Sequence, residues 1–173
     1  PLEIDAVIIY AQRGHGKRAS FYSDYTFGVW SPDEDGERQL VPVGKAYSGF
    51  TDDELVKLDR WVRDHTTERY GAAVRAVEPG LVLEVIFDDL RPSSRHRSGV
   101  AMRFPRIQRI RWDKPAHEAD TLESLKALVG LGNYIKPRMN TDKHRSERFY
   151  TGLKRVSQLG PGKADASGGS IEL

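Results

Sequence analysis

Cysteine is absent from this sequence of 173 residues, and methionine occurs only twice. Without cysteine the chain has no disulfide framework and no thiolate zinc site, which fits a reducing compartment. No apolar run approaches the roughly 20 residues that a helix needs to cross a bilayer. The first residues, PLEIDAVIIYAQ, also have no basic start or cleavage site of a secretory signal. We therefore predict a cytoplasmic protein that has no membrane partner.

Net charge is low as well, because 27 Lys and Arg residues face 25 Asp and Glu residues, for a formal charge of +2. The positive charge is concentrated in one stretch. Between residues 91 and 114 there are eight Lys or Arg residues and a single acid, Asp113. Such a concentration predicts binding of phosphate groups. A solvated basic edge, which protects an exposed strand from aggregation, is the alternative interpretation of the charge alone.

Apolar patterns predict five strands, at residues 4–12, 20–30, 40–47, 81–87 and 99–104. Between the third and fourth strands, Thr51 and Glu54 have the spacing of a capping box, which predicts a helix from there to about Tyr70, stopped by Gly71. The chain is therefore predicted to be mainly β, as a five-stranded OB-fold barrel with a helix between strands 3 and 4. An SH3-like barrel is the structural alternative.

We expect the OB domain to cover residues 1–115. After Pro115 the pattern predicts a short helix capped by Asp120, and residues 136–155 hold seven Lys or Arg residues and two acids. Residues 116–159 are therefore predicted to form a helical, basic extension. The low-complexity segment 160–173 is predicted to be a disordered tail.

Two further basic turns, at residues 13–18 and 95–97, are candidates for contact with nucleic acid, because OB folds bind it through strands 2 and 3 and the flanking loops. Together with two arginines near the last strand they form the predicted DNA-binding set: Arg13, Lys17, Arg18, Arg95, Arg97, Arg103 and Arg106. Among the aromatic residues, alternation favours core positions for Phe21, Tyr25 and Phe27. Tyr22 and Tyr47 are the surface candidates, with burial equally compatible.

Other site types find little support in the residue pattern. The five histidines, at positions 15, 65, 96, 117 and 144, form no pair at the i, i+4 spacing, so no metal ligand is predicted. The GHGK sequence at residues 14–17 has the wrong glycine spacing for a P-loop.

Six segments of the chain, together, resemble the C-terminal OB domain of ATP-dependent DNA ligases of the bacterial type. They are DAVIIYAQRGHGKR (5–18), YSDYTFGVW (22–30), LVPVGKAYSGFTDDEL (40–55), TTERYG (66–71), LVLEVIFDDL (81–90) and SGVAMRFPRIQRIRWDK (98–114). The last segment ends in Arg-x-Asp-Lys and resembles motif VI of those ligases.

The resemblance implies a role in a reaction of three steps. A nucleotidyltransferase domain carries a lysine that attacks ATP, the AMP moves to the 5′ phosphate of a nick, and the 3′ hydroxyl displaces it. Motif VI is implied to clasp the outer phosphates of ATP, which assigns Arg109, Arg111 and Lys114 to phosphate binding and Asp113 to orienting them. The implied cofactors are ATP and Mg²⁺. The implied partners are nicked duplex DNA and a nucleotidyltransferase domain, upstream or in trans, in the bacterial cytoplasm at the nucleoid.

The nucleophile of that reaction is absent from this sequence. The ligase motif Lys-x-Asp-Gly does not occur, and the nearest match, residues 57–60, has Arg60 in place of glycine and lies inside the predicted helix. We therefore predict no catalytic residue in this chain and no activity of the chain alone. A stand-alone OB module that binds nucleic acid without catalysis is the alternative function. The corresponding domain of an RNA-capping nucleotidyltransferase is a third and weaker one.

Overall fold

The computed structural model describes residues 1–132. The basic run at 136–155, most of the predicted extension and the predicted tail lie outside these residues. The strands are β1 Leu2–Arg13, β2 Tyr22–Pro32, β3 Arg38–Ala46, β4 Thr66–Tyr70, β5 Val74–Val77, β6 Val82–Phe87, β7 Asp89–Pro92, β8 Val100–Arg103 and β9 Arg106–Arg111. The helices are α1 Asp52–Asp64 and α2 Leu122–Lys126, and short 3-10 turns span Gly16–Arg18 and Ala116–Glu118.

β1 is the organising strand of the fold. One edge of β1 pairs with β2, which in turn pairs with β3, and the other edge is shared by β6 and β5. β9 continues the sheet beyond β6, and β4 continues it beyond β5. Register shifts interrupt the pairing of β1 with β2 and of β2 with β3, and such bulges bend and twist a sheet.

The bent sheet returns on itself where β9 meets the segment after β3. The amide of Ile107 donates to the carbonyl oxygen of Ser48 at 3.0 Å. Gly49 adopts a φ of +99°, and a Cβ atom there would lie 2.0 Å from the carbonyl oxygen of Ile107, so only glycine allows this approach. This strongly curled sheet, with α1 after β3, confirms the prediction of a mainly β OB fold.

The core lies inside the curl, where apolar side chains of the long strands meet those of α1. Leu55, Leu58 and Val62 of α1 are buried at helical spacing against Tyr25 and Phe27 of β2 among others. The predicted capping box is present, because the Thr51 hydroxyl accepts from the Glu54 amide and the Glu54 carboxylate accepts from the Thr51 amide. α1 therefore closes the inner face of the sheet.

The predicted end of this helix, near Tyr70, is wrong. α1 ends at Asp64, and the chain turns at once into the hairpin of β4 and β5, which pairs with the end of β1. The Thr66 hydroxyl donates to the carbonyl oxygen of Val62 and so ends the helical ladder. Backbone pairing of β4 with β5 satisfies the following residues better than further helix, because Thr66 and its neighbour are β-branched.

The region around Pro105 also differs from the predicted pattern. Phe104 adopts a φ of 52° in a turn, and the chain passes from β8, which forms a two-stranded sheet with β7, into the main sheet as β9 at Arg106. A proline before the first ladder residue is compatible with a strand start. The apolar run that was predicted as strand 5 is therefore β8, and the basic residues after it form a strand of their own.

The predicted cap of α2 is wrong by one residue. Thr121 is the cap, in a reciprocal pair with Ser124. Asp120 instead uses its carboxylate to accept the amide of Asp5 at 2.7 Å, and its carbonyl oxygen accepts the amide of Trp30. Residues 116–132 thus pack against the sheet. Neither described helix is long and apolar enough to cross a membrane.

Candidate functional site

The predicted phosphate-binding residues lie on β9 and directly after it, and they contact carboxylates on the strands β6 and β1. The register pairs Asp5 with Glu84 and Glu84 with Arg109, so the three residues form a row across the sheet. Nη2 of Arg109 donates to Oε2 of Glu84 at 2.9 Å. The Glu84 side chain is only 9% exposed whereas that of Arg109 is 59% exposed. The carboxylate is therefore held inside, and the guanidinium extends toward solvent.

Arg111 lies at the end of the same strand and forms a fork with Asp113. Its Nε and Nη2 donate to the two carboxylate oxygens of Asp113 at 3.0 and 3.1 Å. This hydrogen bonding raises the pKa of Arg111 and lowers the pKa of the Asp113 carboxyl. Nη1 of Arg111 also lies 3.7 Å from Oδ2 of Asp5 and 3.8 Å from Oε2 of Glu84. Three carboxylates therefore orient one guanidinium.

Lys114 completes the group. Its Nζ donates to Oδ2 of Asp5 at 2.7 Å, while Oδ1 of Asp5 is buried and has no hydrogen-bond partner among the described residues. We refer to these residues as the ion-pair cluster: Asp5, Glu84, Arg109, Arg111, Asp113 and Lys114. The three cations are balanced by three carboxylates, so the cluster is held in place without net charge.

A bulge in the pairing of β6 and β9 places the cations on the outside. The register shifts between Glu84 and Val85, so Ile107 and Ile110, three residues apart, are both buried in the core. Arg109 and Arg111 remain on the other face of the strand. Sequence reasoning placed these two arginines on one side but missed Asp5 and Glu84. The available signal was a single acid within each of the predicted strands 4–12 and 81–87.

The turn between β8 and β9 carries an exposed aromatic side chain between two arginines. Phe104 is 55% exposed, and the guanidinium of Arg103 lies 5.2 Å from its ring centroid. Nη1 of Arg106 bonds to the carbonyl oxygen of Phe104 and to Oδ1 of Asp88. Apolar side chains flanked by cations are typical of proteins that bind the minor groove. Sequence reasoning named the two arginines and missed Phe104.

The first predicted basic turn lies close to the same part of the barrel. Lys17 is exposed in the 3-10 turn. Nη1 of Arg18 donates to the carbonyl oxygen of Tyr47 at 3.1 Å, and its guanidinium lies 5.1 Å from the ring of Phe50. Tyr47 is 69% exposed, in agreement with its prediction as a surface residue. Tyr47 is followed by Ser48, whose carbonyl oxygen accepts the Ile107 amide of β9. The backbone around Ser48 therefore connects the first basic turn with the strand that follows the turn at Phe104.

The second predicted basic turn lies elsewhere, at the tip of the β7–β8 hairpin. Arg95 and Arg97 are exposed there, and Nη2 of Arg97 donates to Oε1 of Gln39 on β3 at 3.2 Å. The predicted DNA-binding residues are therefore divided among the two basic turns and the turn at Phe104. Their contact with DNA stays a prediction.

Tyr22, which was named as a surface candidate with burial equally compatible, is buried, at 1% exposure. The guanidinium of Arg13, which was predicted to contact DNA, lies 5.4 Å from the centre of the Tyr22 ring. Tyr25 and Phe27 are buried as predicted, and Phe21 is partly buried against the core. Burial raises the pKa of the Tyr25 hydroxyl well above its ordinary value, and that hydroxyl donates to the carbonyl oxygen of Tyr22.

The chemistry of the ion-pair cluster suits phosphate but not a metal ion. Its three cations have the guanidinium and ammonium groups that phosphate oxygens accept from. Among residues 1–132, no group of three or more His, Asp or Glu side chains could hold a metal ion. We therefore assign no Mg²⁺ ligand to this part of the chain.

Comparison with known proteins gives one consistent result. Residues 18–114 match the family model described as the ATP dependent DNA ligase C terminal region. A "Probable DNA ligase" of Opitutus terrae is 50% identical over 126 residues, which are 73% of this chain and 12% of that protein. Another, of Koribacter versatilis, is 51% identical over 125 residues, which are 72% of this chain and 21% of that protein.

Among the solved structures, the ligase domain from M. tuberculosis LigD matches with a TM-score of 0.52 and 22% identity. The match covers 68% of this chain and 38% of that domain. At this identity the likeness shows the fold alone. The chain thus spans about a fifth or less of the two curated relatives named above.

Proposed function

Since this chain belongs to the family of C-terminal regions of ATP-dependent DNA ligases, we propose that it is the OB domain of such an enzyme. In this role it closes over ATP while the ligase is adenylated and grips nicked duplex DNA while the nick is sealed. The adenylated lysine belongs to a nucleotidyltransferase domain, upstream or in trans. Lys57, the nearest match to that lysine in the chain, lies within α1, so the chain alone is expected to be inactive.

The ion-pair cluster is the observation that supports the first half of this proposal, closure over ATP during adenylation. When a lysine attacks the α-phosphorus of ATP, the bond to pyrophosphate breaks and negative charge develops on the leaving group. Positioned cations near that group lower the barrier. Arg109, Arg111 and Lys114 supply three such cations in an arrangement that the buried carboxylates of Asp5 and Glu84 hold fixed.

The exposure of the cluster indicates how phosphate would be received. Asp113 is 71% exposed and Arg109 is 59% exposed, so these two can change partners at little cost. The Arg111 and Lys114 side chains are only 20% and 23% exposed and stay anchored to Asp5. A phosphate that displaces Asp113 from the fork would meet a guanidinium already oriented for two hydrogen bonds.

The DNA-binding half of the proposal rests on the turn at Phe104 and the first basic turn. Arg103 and Arg106 flank an exposed apolar ring, and Lys17 and Arg18 lie along the linked segment. Cations that track phosphates provide most of the affinity for a duplex. An apolar side chain between them fits a widened minor groove at a nick.

ATP and Mg²⁺ are the proposed cofactors of the whole enzyme. Mg²⁺ would neutralise the phosphates, and no residue described here is assigned to it. The cytoplasmic, nucleoid-associated location is part of the same proposal. The alternative of a stand-alone binding module is not favoured, because the relatives are named as DNA ligases.

Nick sealing by reconstituted halves tests the proposal. The 173-residue chain, the nucleotidyltransferase half of a bacterial DNA ligase, their mixture and a covalent fusion of the two are each incubated with nicked duplex, ATP and Mg²⁺. Sealing by the mixture or the fusion, and by neither half alone, is expected. Sealing by this chain alone would show that a nucleophile is present in it. A fusion that binds nicked duplex no better than the other half does, and does not seal, would contradict the proposal.

A further inference from the structure

Three arginines surround the ring of Tyr22. The guanidinium carbon atoms of Arg13, Arg63 and Arg75 lie 5.4, 5.2 and 4.9 Å from the ring centroid. They come from the end of β1, the last turn of α1 and β5. Tyr22 is 1% exposed, and the three guanidinium groups pack over its ring in cation–π contacts. We call these four residues the Tyr22 cluster.

Carboxylates balance only part of this charge. Asp59 accepts the amide of Tyr22 at 2.8 Å and Nε of Arg63 at 2.9 Å. Nη2 of Arg63 donates to the carbonyl oxygen of Ser20, so this arginine is well satisfied. Asp59 is the only carboxylate bonded to any of the three guanidinium groups within residues 1–132.

Arg13 and Arg75 have N–H donors that are weakly bonded or lack an acceptor within residues 1–132. Nη1 of Arg75 makes a long contact of 3.5 Å with the Thr66 hydroxyl. Nε of Arg13 is buried and has no hydrogen-bond partner within residues 1–132. A buried donor without an acceptor is unfavourable, and so is the convergence of like charges. An anion with several acceptor oxygens at the rim of the cluster would offset the convergence of like charges.

We propose that the Tyr22 cluster binds a phosphate group of the DNA backbone. The inference rests on the proposed DNA-binding function and extends it to Arg63 and Arg75, for which the sequence predicted no role. Each guanidinium offers a planar fork that matches two phosphate oxygens. Stacking on one ring fixes the forks before binding, so little side-chain entropy is lost when phosphate arrives.

The surroundings favour a phosphate of a polymer over a free one. Arg63 is 40% exposed at the rim, and exposed Arg69 pairs with Arg75 across the β4–β5 ladder. Arg13 leads directly into the basic turn with Lys17. Basic side chains therefore continue on two sides of the cluster. Such an open path suits successive phosphates of a strand, because each cation can meet a different phosphate.

The salt dependence of DNA binding tests the inference. Binding of the 173-residue chain to a fluorescent nicked duplex is measured over a range of KCl concentrations for wild type, Arg75→Gln and Arg60→Gln. Arg60 is the matched control, because it is exposed on the same helix as Arg63 but lines a groove with Trp61 and Trp112. For Arg75→Gln we expect the slope of log K against log salt to become shallower by about 0.9, the value of one phosphate contact. For Arg60→Gln we expect the wild-type slope.

Thermal unfolding separates binding from packing. If Arg75 served only to cover Tyr22, Arg75→Gln would lower the unfolding midpoint and leave the salt slope unchanged. The proposal predicts a midpoint at low salt that is no lower than that of wild type, because one of three converging charges is removed. An unchanged slope for Arg75→Gln overturns the inference whatever the midpoint.

Two further measurements distinguish a failure of this inference from a failure of the proposed function. Arg106→Gln probes the turn at Phe104 in the same assay. A shallower slope for Arg106→Gln together with a wild-type slope for Arg75→Gln overturns this inference and leaves the proposed function intact. A wild-type chain that does not bind duplex overturns both. Inorganic tripolyphosphate is the probe for a free ligand: if Arg75→Gln weakens its binding while the DNA slope is unchanged, the assignment to the DNA backbone is wrong.

Discussion

The pair of Asp5 and Lys114 allows a quantitative test of how the ion-pair cluster is held. Their atoms Oδ2 and Nζ are 2.7 Å apart, and the side chains are 14% and 23% exposed. We propose a double-mutant cycle with Asp5→Asn, Lys114→Met and the combination, because both replacements preserve side-chain size. Unfolding by urea, followed by circular dichroism, gives the free energy of unfolding of each variant.

The expected magnitude follows from the geometry. At an effective dielectric constant of about 20, two unit charges at this distance attract by about 6 kcal/mol. Desolvation of two partly buried ions offsets most of that gain. What remains is close to the net value of a hydrogen bond to a charged group, about 1.5–3 kcal/mol. Since both side chains retain some contact with water, we expect a coupling free energy of about 1–2 kcal/mol.

The two single variants should differ. Asp5 also lies 3.7 Å from Nη1 of Arg111, so Asp5→Asn weakens two interactions and should be the more destabilising change. Lys114→Met leaves Asp5 with Arg111 and should cost less. A coupling energy below about 0.5 kcal/mol lies within ordinary additivity. That result would refute the claim that a buried carboxylate fixes Lys114.

Three further predictions concern the DNA surface and the core. Arg13→Ala combined with Lys17→Ala should weaken DNA binding and make its salt slope shallower by about one unit per lost contact; an unchanged slope would remove this turn from the DNA surface. Phe104→Gly should be about 1 kcal/mol more stable than Phe104→Ala in urea unfolding, because Phe104 adopts a φ of 52°. Both variants should bind nicked duplex more weakly than wild type, and wild-type affinity would contradict a contact of Phe104 with DNA. The free energy of unfolding should fall as pH rises above 10.0, because unfolded Tyr25 ionises there while burial keeps the folded side chain protonated. Tyr25→Phe should lessen that fall, and an equal fall in both proteins would show that Tyr25 does not contribute.

Local signals in the sequence predicted the parts of the fold that are determined locally. The Thr51–Glu54 capping box starts α1 as expected, since both partners lie within one turn of helix. The end of α1 depends instead on pairing between the β4–β5 hairpin and β1, which no local pattern reveals. The position of Tyr22 was left open for a similar reason. A register shift at Gln12 and Arg13 interrupts the alternation that would place its side chain on the outer face.

The candidate site also combines residues that a local pattern predicted with residues that only the fold brings together. Its cations share one short segment and were visible in the sequence, and the spacing of Arg111 and Asp113 already suggested their pairing. Their other partners come from distant strands: Asp5 is 109 positions from Lys114, and Glu84 is 25 positions from Arg109. Those contacts depend on the register between β1, β6 and β9. The sequence therefore predicted the cations of the proposed phosphate site but not the carboxylates that hold them in place.

The most direct test of the proposed role is the step at which Arg111 acts. The nucleotidyltransferase half of a bacterial ligase is fused to the 173-residue chain, wild type or Arg111→Ala. Self-adenylation with ATP and sealing of pre-adenylated nicks are then measured in parallel, and the sealing assay controls for folding and DNA binding. The proposal predicts that Arg111→Ala depresses self-adenylation far more than sealing. An equal loss in both assays would contradict the role of this residue in orienting the leaving pyrophosphate.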